Sequence, residues 1–263
     1  MSIPLQVILP ANGEFKTPGA EDFQFPGLFG TDWLNKPMLQ LIIAALLVCL
    51  FWYFGSRKLR VVPSKGQLLM ESVYNFIRDG VGRDVLGPGF RPYIGLLVGI
   101  FTFVLINNWF GEFFLFMFPT FSNIGYVWGM VAFIFLVYVG SGFKQHGIGY
   151  LKKALIPEGV PWVLWIIIVP IEFISNFITR PLTLAVRLFA NMFAGHLAIM
   201  VFVLGGTFLL TYADNVVFNA AGVLSLIFSF AMLCLELFIG FLQAYIFTIL
   251  TAQYISSSIS ETH

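Results

Sequence analysis

Residues 217–256 run for forty positions with Glu236 as their one formally charged side chain. A helix of that length measures about 60 Å, twice the roughly 30 Å of a bilayer's hydrocarbon. Other apolar stretches lie at 38–54, 93–118, 127–143, 161–178 and 180–211. The chain has 263 residues, 59% hydrophobic and only 10% charged, with a mean hydropathy of +0.89. A soluble domain carries about 25% charged residues, so lipid must solvate much of this surface. An all-α polytopic membrane protein is the predicted fold class.

The net charge is +1 and no basic stripe interleaves with aromatics, which sets nucleic acid aside. Cys49 and Cys234 fall inside apolar runs and read as inert thiols. Two cysteines and three scattered histidines build no metal site at these spacings, and no cofactor is expected. "MSIPLQVILP" lacks the basic start of a secretory signal, so the first membrane helix is expected to serve as its own insertion signal.

Residues 1–36 show no period and read as an external arm before a single membrane domain, 37–263. Leu68, Leu69, Val73, Phe76 and Ile77 recur at helical spacing against Glu71, Arg78 and Asp79, predicting a surface amphipathic helix over about 67–86. Pro170 and Glu172 interrupt 161–178, which could span or dip in and return, and the distribution of basic residues favours a re-entrant or hairpin segment. Basic residues cluster at Arg57–Arg91 and Lys144–Lys153, while 119–126 and 211–218 hold no Lys or Arg. The positive-inside rule then puts the N-terminus outside and the C-terminus in the cytoplasm, with five crossings.

Ionisable groups at membrane depth are costly and mark functional candidates. Here these are Glu112, Glu172, Arg180, Arg187, His196 and Glu236. Arg180, Glu172 and Glu112 can sit near a face, whereas Arg187, His196 and Glu236 cannot. The helices 180–211 and 217–256 join through a tight turn holding Asp214 and Asn215 and are predicted to be antiparallel. Counting outward from that turn levels Arg187 with Gln243, and His196 with Glu236, the two levels lying about 10–14 Å apart. Thr183, Arg187 and Asn191 follow at four-residue spacing and share a stripe. His196, nine residues beyond Arg187, points about half a revolution away. No acidic residue of this chain reaches Arg187's level, which predicts a carboxylate from another subunit. His196 and Glu236 can be either a polar clamp between helices or a proton relay.

The runs "RPLTLAVRLFANMFAGH" and "LELFIGFLQAYIFTILTAQY", with "PIEFIS" and "NNWFGEF", resemble subunit a of the F-type ATP synthases, the stator of a membrane motor, over about 38–256. The resemblance places that family's arginine on Arg187, its asparagine on Asn191 and its glutamine on Gln243. His196 and Glu236 match two positions where other members carry the same two groups exchanged. Glu172 matches an acidic residue of the cytoplasmic half-channel, with one more residue before Arg187 than in several members, and Glu112 is the loosest match.

The resemblance implies two long tilted helices against a ring of c subunits, with peripheral-stalk subunit b as a further partner, in a bacterial inner membrane. It further implies proton entry by Asp214 or Glu112, His196, Glu236 and Asn191, and exit near Thr183, Thr179 and Glu172. Arg187, which does not deprotonate, would separate the paths. Protons are the default coupling ion. The chain would bind no nucleotide, having no phosphate-binding glycine loop, and would be no enzyme itself. An intramembrane hydrolase would need a nucleophile level with His196, and the paired helix offers none. A self-contained transporter commonly shows internal repeats, and none is visible.

Overall fold

A computed structural model describes residues 17–23, 27, 35–57, 60–113, 118–156, 161–212 and 215–259. Asp214 and most of the expected arm lie outside these residues.

Helix α1, Lys36–Ser56, starts where the Asn35 side chain accepts a hydrogen bond from the Met38 N–H at 3.0 Å, with Pro37 just inside the first turn. It is apolar all round, as a helix solvated by lipid can be. Helix α2, Lys65–Ile77, is capped by the Ser64 hydroxyl, which accepts from the Gln67 N–H. It continues through a π turn, Arg78–Arg83, into the short helix α3, Asp84–Leu86. Gly87 ends this stretch at φ 58°, a left-handed conformation that suits glycine. The stretch 67–86, expected as a surface amphipathic helix, is helical. Gln67, Met70 and Ile77 are buried, while Leu68, Leu69 and Phe76 are exposed.

Helix α4, Ile94–Glu112, is buried over more than half its length, including Phe101, Val104, Asn107 and Asn108. Helix α5, Ile124–His146, buries Val127, Val131, Ile134, Tyr138 and Gly142, one stripe at three- and four-residue spacing. Gly147, at φ 57°, turns the chain into the short helix α6, Gly149–Leu155. Tyr150 folds back onto Gly142, where a Cβ would collide with its ring.

Segment 161–178, expected to re-enter or form a hairpin, is helical from Trp162 and continues into the next helix. A 3-10 turn, Trp162–Leu164, leads into α7, Trp165–Phe173, then a π turn, Ile174–Thr179, and α8, Arg180–Tyr212. Pro170 sits inside α7. Membrane helices tolerate such a proline through local π adjustment, and the π turn begins four residues later. Helix α9, Val216–Ile259, has 44 residues, so it must tilt or bend to fit a bilayer.

Five helices among the described residues are long and apolar enough to cross a membrane: Lys36–Ser56, Ile94–Glu112, Ile124–His146, Trp162–Tyr212 and Val216–Ile259. The protein is all-α and polytopic. It divides into two compact units. One comprises residues 1–42, 107–123 and 190–241; the other comprises 43–106, 124–189 and 242–263.

Candidate proton-conducting sites

In the first unit, α8 and α9 form an antiparallel hairpin along small residues. A Cβ on Gly206 would lie 3.0 Å from the Gly222 carbonyl oxygen, and one on Gly222 would lie 2.8 Å from Leu210 Cγ. The Ser225 hydroxyl donates to the Phe202 carbonyl at 2.8 Å. Such backbone proximity is how helices gain packing where lipid supplies no hydrophobic drive. Further along, the Glu236 carboxyl lies directly on Gly195, where any Cβ would overlap it. This contact agrees with the level counted for His196 and Glu236, because Gly195 adjoins His196 and meets Glu236.

The direct contacts of His196 differ from the expected clamp. Its Nδ1 lies 3.9 Å from Glu112 Oε1 on α4, within ion-pair range when the imidazole is protonated and too long for a direct hydrogen bond. No hydrogen bond joins His196 to Glu236 among the described residues, and His196 Nδ1 and Glu236 Oε1 are both buried without such a partner. Buried polar atoms of this kind call for water or a transient proton carrier. A cleft of about 260 Å³ lies beside Glu236, lined also by Asn191, Ala194, Gly195, Ala198, Met232 and Ile239. Helix α4 braces α9 one turn from Glu236. The Asn108 amide donates to the Gly240 carbonyl at 2.9 Å, and the Trp109 indole donates to the Leu237 carbonyl at 3.2 Å.

Sequence reasoning missed Phe23. Its ring is buried against Phe193 at 4.7 Å and Phe118 at 5.6 Å, and meets the His196 ring edge-on at 6.1 Å. Nothing periodic surrounds Phe23, so no local signal marked it. Gly195 was also missed, although a glycine beside a buried histidine marks a close approach.

In the second unit, Arg187 is exposed on α8 and makes no ion pair or hydrogen bond among the described residues. Leu184, Ala185 and Leu188 bury the opposite face. The exposed stripe through Arg187 holds Thr179, Leu182, Thr183, Val186 and, further along α8, Ala190 and Ala194. The Thr183 hydroxyl donates back to the Thr179 carbonyl at 2.8 Å. Gln243 is buried at 2% exposure, and no hydrogen bond joins it to Arg187. Arg180, by contrast, donates to the Ser257 hydroxyl at 2.9 Å and lies 5.3 Å over the Tyr254 ring. Glu172 accepts from the Asn176 amide at 3.1 Å.

The candidates sort cleanly between the units. Glu112, Asn191, His196 and Glu236 fall in the first, and Glu172, Thr179, Thr183, Arg187 and Gln243 in the second.

The chain's sequence matches the family described as ATP synthase A chain over residues 38–256. It is 39% identical to ATP synthase subunit a of Nocardioides sp., over the full length of both chains. It is 36% identical to the protein of the same name from Pseudarthrobacter chlorophenolicus, covering 97% of this chain and 98% of the relative. With that of Paenarthrobacter aurescens the identity is 38% at the same coverage. An all-α membrane chain with a match of this extent belongs to the ATP synthase A chain family.

Proposed function

We propose that this chain is the stationary, proton-conducting subunit of a rotary ATP synthase in a bacterial cell membrane. It handles no nucleotide and performs no catalysis itself. It passes protons to and from the carboxylates of a ring of c subunits and is held still by subunit b. The observation that carries this reading is Arg187, exposed, without an ion pair or hydrogen bond among the described residues, and set in a stripe of threonines and small or apolar side chains. A lone guanidinium at membrane depth requires a partner, and within lipid that partner comes from another protein chain.

On this reading the N-terminus is outside and the C-terminus is cytoplasmic. Protons arrive from outside by Asp214 or Glu112, pass His196 and Glu236 with Asn191 beside them, and neutralise a ring carboxylate. The neutral carboxyl can then turn into lipid. After nearly a full revolution it meets the second path, near Thr183, Thr179 and Glu172, and gives its proton to the cytoplasm. Gln243 lies at the level of Arg187 and orders the polar surface there. Arg187 favours the ionised carboxylate and keeps the two paths from joining, since it carries a charge that no accessible pH removes. Each proton releases about 2.3 kcal/mol per 100 mV of membrane potential.

Inverted vesicles containing the whole complex test this. Arg187→Ala is expected to abolish ATP-driven pumping while opening a passive proton leak through the assembled membrane sector. Arg187→Lys is expected to restore little, because an ammonium in this setting can lose its charge. Undiminished pumping by Arg187→Ala would sink the reading.

A further inference from the structure

We propose that Asn176 is a positioning residue of the cytoplasmic proton path, holding the Glu172 carboxyl group in place through both of its protonation states. This rests on the role given to Glu172 above. Asn176 lies in the π turn that links α7 to α8, between Ser175 and the apolar pair Phe177–Ile178. Both donors of its amide are used. One goes to Glu172 Oε2 at 3.1 Å, and the other to the Ala154 carbonyl at 2.9 Å. The Ala154 carbonyl belongs to the last turn of α6, where helix carbonyls have no partner of their own. The backbone carbonyl of Asn176 accepts from the Tyr138 hydroxyl at 2.9 Å, and Tyr138 is buried on α5. One residue therefore ties α5, α6 and α7 together and spends one bond on the carboxyl.

The chemistry explains the choice of an amide. A Glu172 that takes up and releases a proton alternates between carboxylate and carboxylic acid. An N–H donor bonds the carboxylate oxygen in the first state and the carbonyl oxygen in the second. A lysine or arginine here would hold the anion and oppose uptake. A hydrophobic residue would leave the carboxyl free to rotate, and misplacement of a reacting group by about 1 Å is costly. Helix α6, anchored by the same amide, exposes Lys152 and Lys153. The carboxyl is thereby coupled to an element with a water-facing basic edge, the side to which its proton must go.

The plainer alternative is that Asn176 only caps α6. A double-mutant cycle separates the two. In inverted vesicles of the whole complex, with pumping normalised to the amount of assembled complex, Asn176→Leu and Glu172→Asp are combined. The second keeps a carboxyl but withdraws it by one methylene. Each single change is expected to slow ATP-driven pumping several-fold, and the double variant is expected to be no slower than the slower single. Losses that multiply, or a Glu172→Asp chain that pumps normally, overturn the positioning role. Tyr138→Phe provides a second arm if Asn176→Leu fails to assemble. Its smaller loss is expected to vanish in the Glu172→Asp background, and persistence of that loss overturns the proposal. Glu172→Ala tells the two failures apart, since normal pumping by that chain removes Glu172 from the path altogether.

Discussion

Gly195 and Glu236 illustrate how much one missing methyl group decides. The Glu236 carboxyl occupies the volume that a side chain on residue 195 would fill, so Gly195→Ala must push the carboxyl aside or part the helices. Overpacking of this kind costs about 1–3 kcal/mol, and here the displaced group is a proposed proton carrier. Gly195→Ala is expected to reduce pumping strongly, and adding Glu236→Asp, which retracts the carboxyl, is expected to recover part of it. Pumping at the wild-type rate by Gly195→Ala would show that the Glu236 position is not critical. The glycine was readable as a close approach, but its partner was readable only because so few residues separate α8 from α9 that their register can be counted. Phe23 and Glu112 had no such ruler. Each reaches His196 across a connection whose length sets no depth, so counting residues could not bring them together.

At the level of elements, packing in the α8–α9 hairpin depends on backbone contact more than on polar bonds. Gly222→Leu would drive a side chain into Leu210 and the Gly206 carbonyl. Asn108→Leu would remove one bond to the Gly240 carbonyl, and polar contacts between membrane helices average about 0.6 kcal/mol. Thermal unfolding of the detergent-solubilised complex is expected to show a large loss for Gly222→Leu and a small one for Asn108→Leu. The spans themselves were legible from hydropathy and length. The behaviour of 161–178 was not, because Pro170 and Glu172 read as interruptions. A π turn absorbs the proline and an amide holds the carboxyl, so the helix continues. Sequence periodicity at 3.6 residues contains no mark of a π turn, which adds a residue without breaking the helix.

For the whole molecule, the two units coincide with the proposed division of roles. Residues assigned to proton entry gather in one, and residues assigned to exit gather in the other, with the boundary on α8 falling between Phe189 and Ala190. The arginine stands two residues from that boundary. The sequence singled it out as a candidate because no carboxylate of this chain could be brought to its depth. Its exposure, with Leu184 and Leu188 buried behind it, adds the direction in which it points.

That exposure has a consequence for the cell's economy of synthesis. On the proposed function, an arginine facing hydrocarbon costs about 2.5–3.5 kcal/mol on insertion scales, and a chain made in excess of the proposed ring would carry that cost unrelieved. Supply of the two gene products must then be balanced, and surplus copies should be recognisable to membrane proteases as defective. In a pulse-chase measurement the chain is expected to turn over quickly in cells lacking the ring subunit, and Arg187→Leu is expected to lengthen its lifetime there. Equal lifetimes would show that the exposed cation is not what marks the solitary chain.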